Sequence, residues 1–167
     1  MAATLIVETG SGNPDANSYV TADYVDDYLV SRGVVVPPTE KLIPLIILAA
    51  DFMECIPRYK GRKTNPDQAL AYPRAGLRSN GQPLPEDSIP AQLKKAQAQL
   101  VMDQVQSGKP LLSSKTEYVL KRRTLGPLTQ EWATGNSQQV QGAQPHPRFW
   151  ALMQDFLNGM GGSEVIR

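Results

Sequence analysis

Fourteen prolines and thirteen glycines in 167 residues interrupt this chain too often for long regular elements. They are unevenly placed, because residues 57 to 88 alone hold five of the prolines and three of the glycines. That stretch reads as a long ordered loop, and loops of such length tend to carry function. The remainder must be built from short elements around one core, since the length suits a single domain and 41% hydrophobic residues suffice to fill it.

Periodicity places those elements. Leu5-Ile6-Val7 is a short strand or extended arm ahead of the turn-rich residues 8 to 14. Thr21 can cap a helix over about residues 22 to 31, with Val25, Tyr28 and Leu29 as its buried stripe and Gly33 beyond its end. A second helix runs to about residue 56, capped by Thr39 or, because Pro44 falls in its first turns, starting nearer residue 43. Its apolar run, residues 42 to 50, is wider than one stripe and predicts a place at the centre of the fold or in an interface. A third helix opens at Ser88 and Pro90 and reaches about residue 106, burying Leu93, Ala96, Leu100, Val101 and Val105.

Alternation on either side of Gly126-Pro127 predicts a β-hairpin at about residues 116 to 133. Residues 134 to 146 are rich in Gly, Ser, Gln and Asn and read as a polar linker. Pro147 then starts a last amphipathic helix carrying Phe149, Trp150, Leu152, Met153, Phe156 and Leu157. The expected fold is mainly α: a small bundle of about three core helices, a projecting hairpin, and a C-terminal helix on a linker. Residues 1 to 133 form the helical domain, 134 to 146 the linker, and 147 to 167 the last helix and tail. That final stripe can pack on its own domain; its place after a linker also suits docking in a groove on another protein.

Net charge is +1, which argues against a protein that coats nucleic acid by bulk charge. The distribution is segmented, with eight acids and two bases in residues 1 to 56 but six bases and one acid in residues 57 to 78. The basic residues Arg58, Lys60, Arg62 and Lys63, with Arg74 and Arg78 following, alternate with Tyr59 and Tyr72 as surfaces that track a nucleic-acid backbone do. They can equally form salt bridges to the acidic N-terminal third of the same or a neighbouring chain. Asp23, Asp26 and Asp27 share a helix turn and read as an acidic docking face; two-metal chemistry on Asp23 and Asp27 is the alternative, without a Lys or His base nearby.

Catalytic and cofactor chemistry find little support. His146 is the sole histidine and reads as an exposed linker residue, while Cys55 is the sole cysteine, which excludes an internal disulfide and a cysteine-based zinc site. Gly10-Ser11-Gly12 matches neither the dinucleotide nor the P-loop pattern of a phosphate cradle. No apolar run approaches a membrane span, and no signal-peptide layout opens the chain, so a soluble protein made in the cytoplasm is expected, with no catalytic residue, cofactor or metal.

The segments Ala16-Asn17-Ser18-Tyr19-Val20, Arg32-Gly33, Ala50-Asp51-Phe52, Arg58-Tyr59-Lys60-Gly61-Arg62-Lys63-Thr64, Ala71-Tyr72-Pro73-Arg74-Ala75-Gly76 and Ile89-Pro90 resemble, in order and spacing, the phage proteins labelled DnaT-like single-stranded DNA-binding. The match covers about residues 5 to 106. In tailed phages such proteins resemble head-tail connector, or adaptor, subunits. The resemblance implies a virion structural protein of the neck, assembled in the host cytoplasm into a ring of typically twelve copies below the portal. It further implies portal and tail or neck proteins as partners and duplex DNA passing through the channel without sequence reading. In that setting Arg58, Lys60, Arg62, Lys63 and Arg74 line the channel or meet the acidic face of the next subunit, and the last helix docks on the portal. The alternative is the label itself, a replication accessory that binds single-stranded DNA.

Overall fold

The structure, a computed structural model, describes residues 3–56, 58–79, 81–109, 111, 122–125, 128–131 and 146–158. Helix α1 spans Ala22–Val30, α2 Thr39–Glu54, α3 Ala91–Ser107 and α4 Pro147–Met153, the last continued by a 3-10 turn over Gln154–Phe156. More of the described residues lie outside helices than in them, so a mainly helical bundle is corrected to a small mixed fold of four helices and short antiparallel strand pairs.

Local chemistry sets the helix ends. The Thr21 hydroxyl accepts the Tyr24 amide at 3.1 Å, the N-cap bond expected of it, and α1 buries Val25, Tyr28 and Leu29. Helix α2 starts earlier than Pro44 implies: Pro38 holds the cap position, and the Lys41 and Leu42 amides both reach its carbonyl. Pro44 is tolerated because it removes a single hydrogen bond, to Glu40, on the exposed side of the helix. Leu42, Ile46, Ala49, Ala50 and Met53 face the core, while Leu48 is left largely outside.

Helix α3 packs against the other three helices, and its polar residues explain how. Gln97 is fully buried; its carbonyl oxygen accepts the Tyr19 amide at 2.9 Å, and its amide donates to Ser18 Oγ and to the Ile46 carbonyl. Gln99 accepts the Tyr28 hydroxyl at 2.9 Å, and Gln104 donates to the Leu45 carbonyl at 3.2 Å. Gln97 thereby satisfies the Tyr19 amide of the irregular N-terminal arm, while the bonds to the Ile46 and Leu45 carbonyls tie α3 to α2.

The proline-rich stretch is more structured than the expected loop. Strands β1 (Arg62–Lys63) and β2 (Arg74–Ala75) pair antiparallel with Arg62 opposite Ala75 and Lys63 opposite Arg74. Strands β3 (Arg78–Ser79) and β4 (Gln82–Pro83) form a second short ladder. Strands β5 (Arg122–Leu125) and β6 (Leu128–Glu131) pair antiparallel about the Gly126-Pro127 position; the rest of the predicted hairpin arms, and residues 134 to 145 of the linker, lie outside the described residues.

The C-terminal helix is the main departure from the sequence expectation. Phe149, Met153, Phe156 and Leu157 are buried in the same cluster as Tyr72, Leu93 and Leu100, and Trp150 and Leu152 pack partly against it. Phe52 meets Phe149 edge-on at 5.7 Å, and Tyr72 meets Phe156 at 6.0 Å. Four of the six residues given a docking role, Phe149, Met153, Phe156 and Leu157, are thus taken up by the chain's own core. An amphipathic stripe reads the same whether its partner is another protein or the groove between α2 and α3, and here the chain's own groove takes it. His146, expected to be exposed, is instead half-buried at the start of α4, with Nδ1 2.7 Å from an Asp103 carboxylate oxygen and the ring edge-on to Phe52.

Candidate nucleic-acid interface

The basic segment begins where α2 ends, and its first aromatic fixes it inward. The Tyr59 hydroxyl donates to the Met53 carbonyl at 2.9 Å, and its ring meets Tyr72 edge-on at 5.5 Å. Tyr72 is fully buried and also meets Tyr19 at 6.3 Å. Burial raises both the Tyr59 and Tyr72 phenols well above the ordinary tyrosine range. Tyr72 belongs to the core and Tyr59 packs partly buried against it, which corrects the expectation that both rings are displayed on a mixed basic and aromatic surface.

With Tyr59 inward, its neighbours turn outward. The Lys60 amide donates to the Phe156 carbonyl at 2.8 Å, and the Asn158 amide to the Arg58 carbonyl at 2.7 Å. The chain then turns at Gly61, where φ is +71° and an added Cβ would sit 2.4 Å from the Ala75 carbonyl oxygen, so only glycine fits. Arg74, on the facing strand, clamps that turn: Nε donates to the Lys60 carbonyl and Nη2 to the Gly61 carbonyl, both at 2.7 Å, and Nη1 reaches the Ala71 carbonyl at 3.3 Å. Gln68 braces the loop from within, its buried amide donating to the Leu70 and Pro73 carbonyls.

The five predicted basic residues thus converge on one loop but divide by task. Lys60 Nζ donates to the Asp155 carbonyl at 3.0 Å and Lys63 Nζ to the Gln68 carbonyl at 3.2 Å, so with Arg74 they shape the loop. Arg58 and Arg62 are exposed and their side chains bond to nothing among the described residues. Within the described residues none of the five pairs with a carboxylate, which removes the expected salt bridges to the acidic third of the same chain. A carbonyl orients a cation without cancelling it, so the loop keeps its positive charge.

Asp23, Asp26 and Asp27 are exposed on α1 and make no ion pair among the described residues. No group of three or more His, Cys, Asp or Glu side chains that would hold a metal gathers among those residues, so Asp23 and Asp27 lack the further ligands a two-metal site needs. No described helix is long and apolar enough to cross a membrane.

Gly10-Ser11-Gly12 does form an anion cradle, though for an internal anion. The Gly10 and Gly12 amides donate to one oxygen of the buried Glu8 carboxylate at 2.7 and 3.0 Å, and the Asn13 amide to the other at 2.6 Å. Sequence patterns missed this because they look for a phosphate-binding loop ahead of a helix, whereas this loop folds back on its own preceding residue.

No curated protein and no solved structure matches the chain. One family model does, over residues 3–167, and its description names binding to DNA and no catalysis. The match takes in every element described above, and by it this chain belongs to the "Putative DnaT-like ssDNA binding protein" family.

Proposed function

We propose that the protein binds DNA through its backbone phosphates, with Arg58 and Arg62 as contacts on a loop held in shape by Lys60, Lys63 and Arg74. The observation that carries this reading is a five-cation loop with no carboxylate partner among the described residues. The family description makes single-stranded DNA the first substrate to try. With Tyr72 buried and Tyr59 packed edge-on against it, the contact is electrostatic, so binding depends on salt and is indifferent to base sequence. The test is fluorescence anisotropy of a labelled single-stranded oligonucleotide across a salt series. Affinity should fall steeply with salt, and Arg58→Ala with Arg62→Ala should flatten the dependence by about 0.7 per cation removed. Salt-independent binding, or none at low salt, overturns the reading.

A second reading rests on a different observation. The acidic face of α1 and the basic loop are both exposed and neither is neutralised within the described chain. Complementary patches on one molecule favour a closed head-to-tail ring, the assembly of a head-tail connector subunit on a portal, with duplex DNA along the channel. Light scattering of the protein alone and mixed with portal rings separates the two: discrete assembly on the portal favours the connector, and a monomer that ignores the portal but retards single-stranded DNA favours the first reading.

A further inference from the structure

A cavity of about 360 Å³ opens between the end of α1, the middle of α3 and the start of α4, sharing no residue with the basic loop. It lies within the range of small-ligand sites. Arg32 and Arg148 line it, together with Gln99, Asp103 and Gln106 over the buried Met102.

The wall of this cavity is fixed. Gln99, almost fully buried, accepts the Tyr28 hydroxyl and donates to one Asp103 oxygen at 2.8 Å, while the other Asp103 oxygen lies 2.7 Å from His146 Nδ1. The one carboxylate in the lining therefore has both oxygens engaged by neighbours other than the arginines. Arg32 is held in place as well: its guanidinium stacks 3.4 Å above the Tyr28 ring, and Nη1 donates to the Tyr28 carbonyl and Ser31 Oγ, both at 3.0 Å. Its Nε and Nη2 donors have no hydrogen-bond partner among the described residues, and neither do those of the exposed Arg148. Two guanidinium groups with open donors thus border one cavity, neither paired with a carboxylate among those residues.

We propose that this cavity is a phosphate-binding site, with Arg32 and Arg148 as its ligating residues and the Gln106 amide within its rim. Two guanidinium groups against the single Asp103 carboxylate leave the lining positive, and guanidinium forks with open donors suit the oxygens of a phosphate. Arg32 arrives already ordered by Tyr28, which lowers the entropy lost on binding. The dianion can come from free phosphate or from the terminal phosphate of a nucleotide, which has the same chemistry.

Isothermal titration calorimetry on the full chain tests this, using inorganic phosphate and thymidine monophosphate separately at matched ionic strength. Saturable binding is expected, weakened by about tenfold or more in Arg148→Ala and again in Arg32→Lys, which keeps the charge and loses the fork. Arg148 is exposed, so its variant should match the parent in circular dichroism and melting temperature. Arg58→Ala with Arg62→Ala should leave phosphate binding intact, which separates this site from the basic loop. A nucleotide at least tenfold tighter than phosphate assigns the site to nucleotides, and equal affinities assign it to free phosphate. Absence of saturable heat with both probes, or equal binding by the parent and Arg148→Ala, overturns the proposal.

Discussion

Tyr59 and Leu157 form an antiparallel bridge, flanked by the Lys60 amide on the Phe156 carbonyl and the Asn158 amide on the Arg58 carbonyl. The backbone of the basic loop therefore hangs on the C-terminal segment, and both rest on the core through Tyr72 and Phe156. Removing residues 146 to 167 should abolish cooperative thermal unfolding instead of leaving an intact domain. Phe156→Ala alone should cost about 3–5 kcal/mol, read as a shift in denaturant midpoint. A truncated chain that melts like the parent would return α4 to the role of a separate docking element.

Arg62 and Arg74 carry the same charge on facing strands but should fail differently. Arg62 has no bonded partner among the described residues, so Arg62→Ala should keep the melting temperature and weaken DNA binding with a smaller salt slope. Arg74→Ala leaves the Lys60 and Gly61 carbonyls without their donor, costing about 1–2 kcal/mol and loosening the turn. Hydrogen exchange at residues 58 to 63 should speed up in Arg74→Ala and stay unchanged in Arg62→Ala. Equal exchange in both would remove the positioning role of Arg74.

The helices that pack by one apolar stripe were legible in the sequence: Thr21 with Val25, Tyr28 and Leu29 stands where periodicity puts it, as does the start of α3 after Pro90. Convergence of the basic residues on one loop was legible too, from their spacing. The partner of a stripe was not, since Phe149 and Phe156 carry no mark that distinguishes a foreign groove from the chain's own. Polar burial was hidden for a related reason. Gln97 and Gln99 look like surface helix residues until the arm and helix that need their amides fold against them. Tyr59 and Tyr72 sit among cations in sequence, yet their rings pack edge-on against each other at the core while Arg58 and Arg62 stay exposed.

Glu8 and the loop it organises should be unusually sensitive. Its carboxylate is the acceptor for three amides, and Gly10 lies so close to Asp87 that an added Cβ would be 1.9 Å from that carbonyl oxygen. Glu8→Ala strips the acceptor from three donors, two of them buried, and should cost about 2–4 kcal/mol. Glu8→Gln keeps the shape and one good acceptor oxygen, so it should lie between Ala and the parent in chemical denaturation. A melting curve for Glu8→Ala that overlays the parent would show that the loop holds its turn without the carboxylate.

Tyr72 offers a test in which a hydroxyl is removed to advantage. Its oxygen is buried without a hydrogen-bond partner among the described residues, whereas the Tyr59 hydroxyl has the Met53 carbonyl. Tyr72→Phe should therefore match or exceed the parent in stability at neutral pH, while Tyr59→Phe should lose about 1 kcal/mol. Alkaline pH adds a second signature. Burial raises the phenols of Tyr19, Tyr59 and Tyr72 above the ordinary value of 10.0 in the folded chain. Below pH 10 both states keep these protons and the contribution is complete; above it the unfolded chain ionises first, so stability falls as pH rises toward the folded values. Each such tyrosine contributes a slope approaching about 1.4 kcal/mol per pH unit. Tyr72→Phe removes one of the three, so its advantage over the parent should grow by about 1.4 kcal/mol between neutral pH and pH ~11, measured by urea unfolding at each pH. A constant difference across that range would mean that Tyr72 ionises as readily in the folded chain as in the unfolded one.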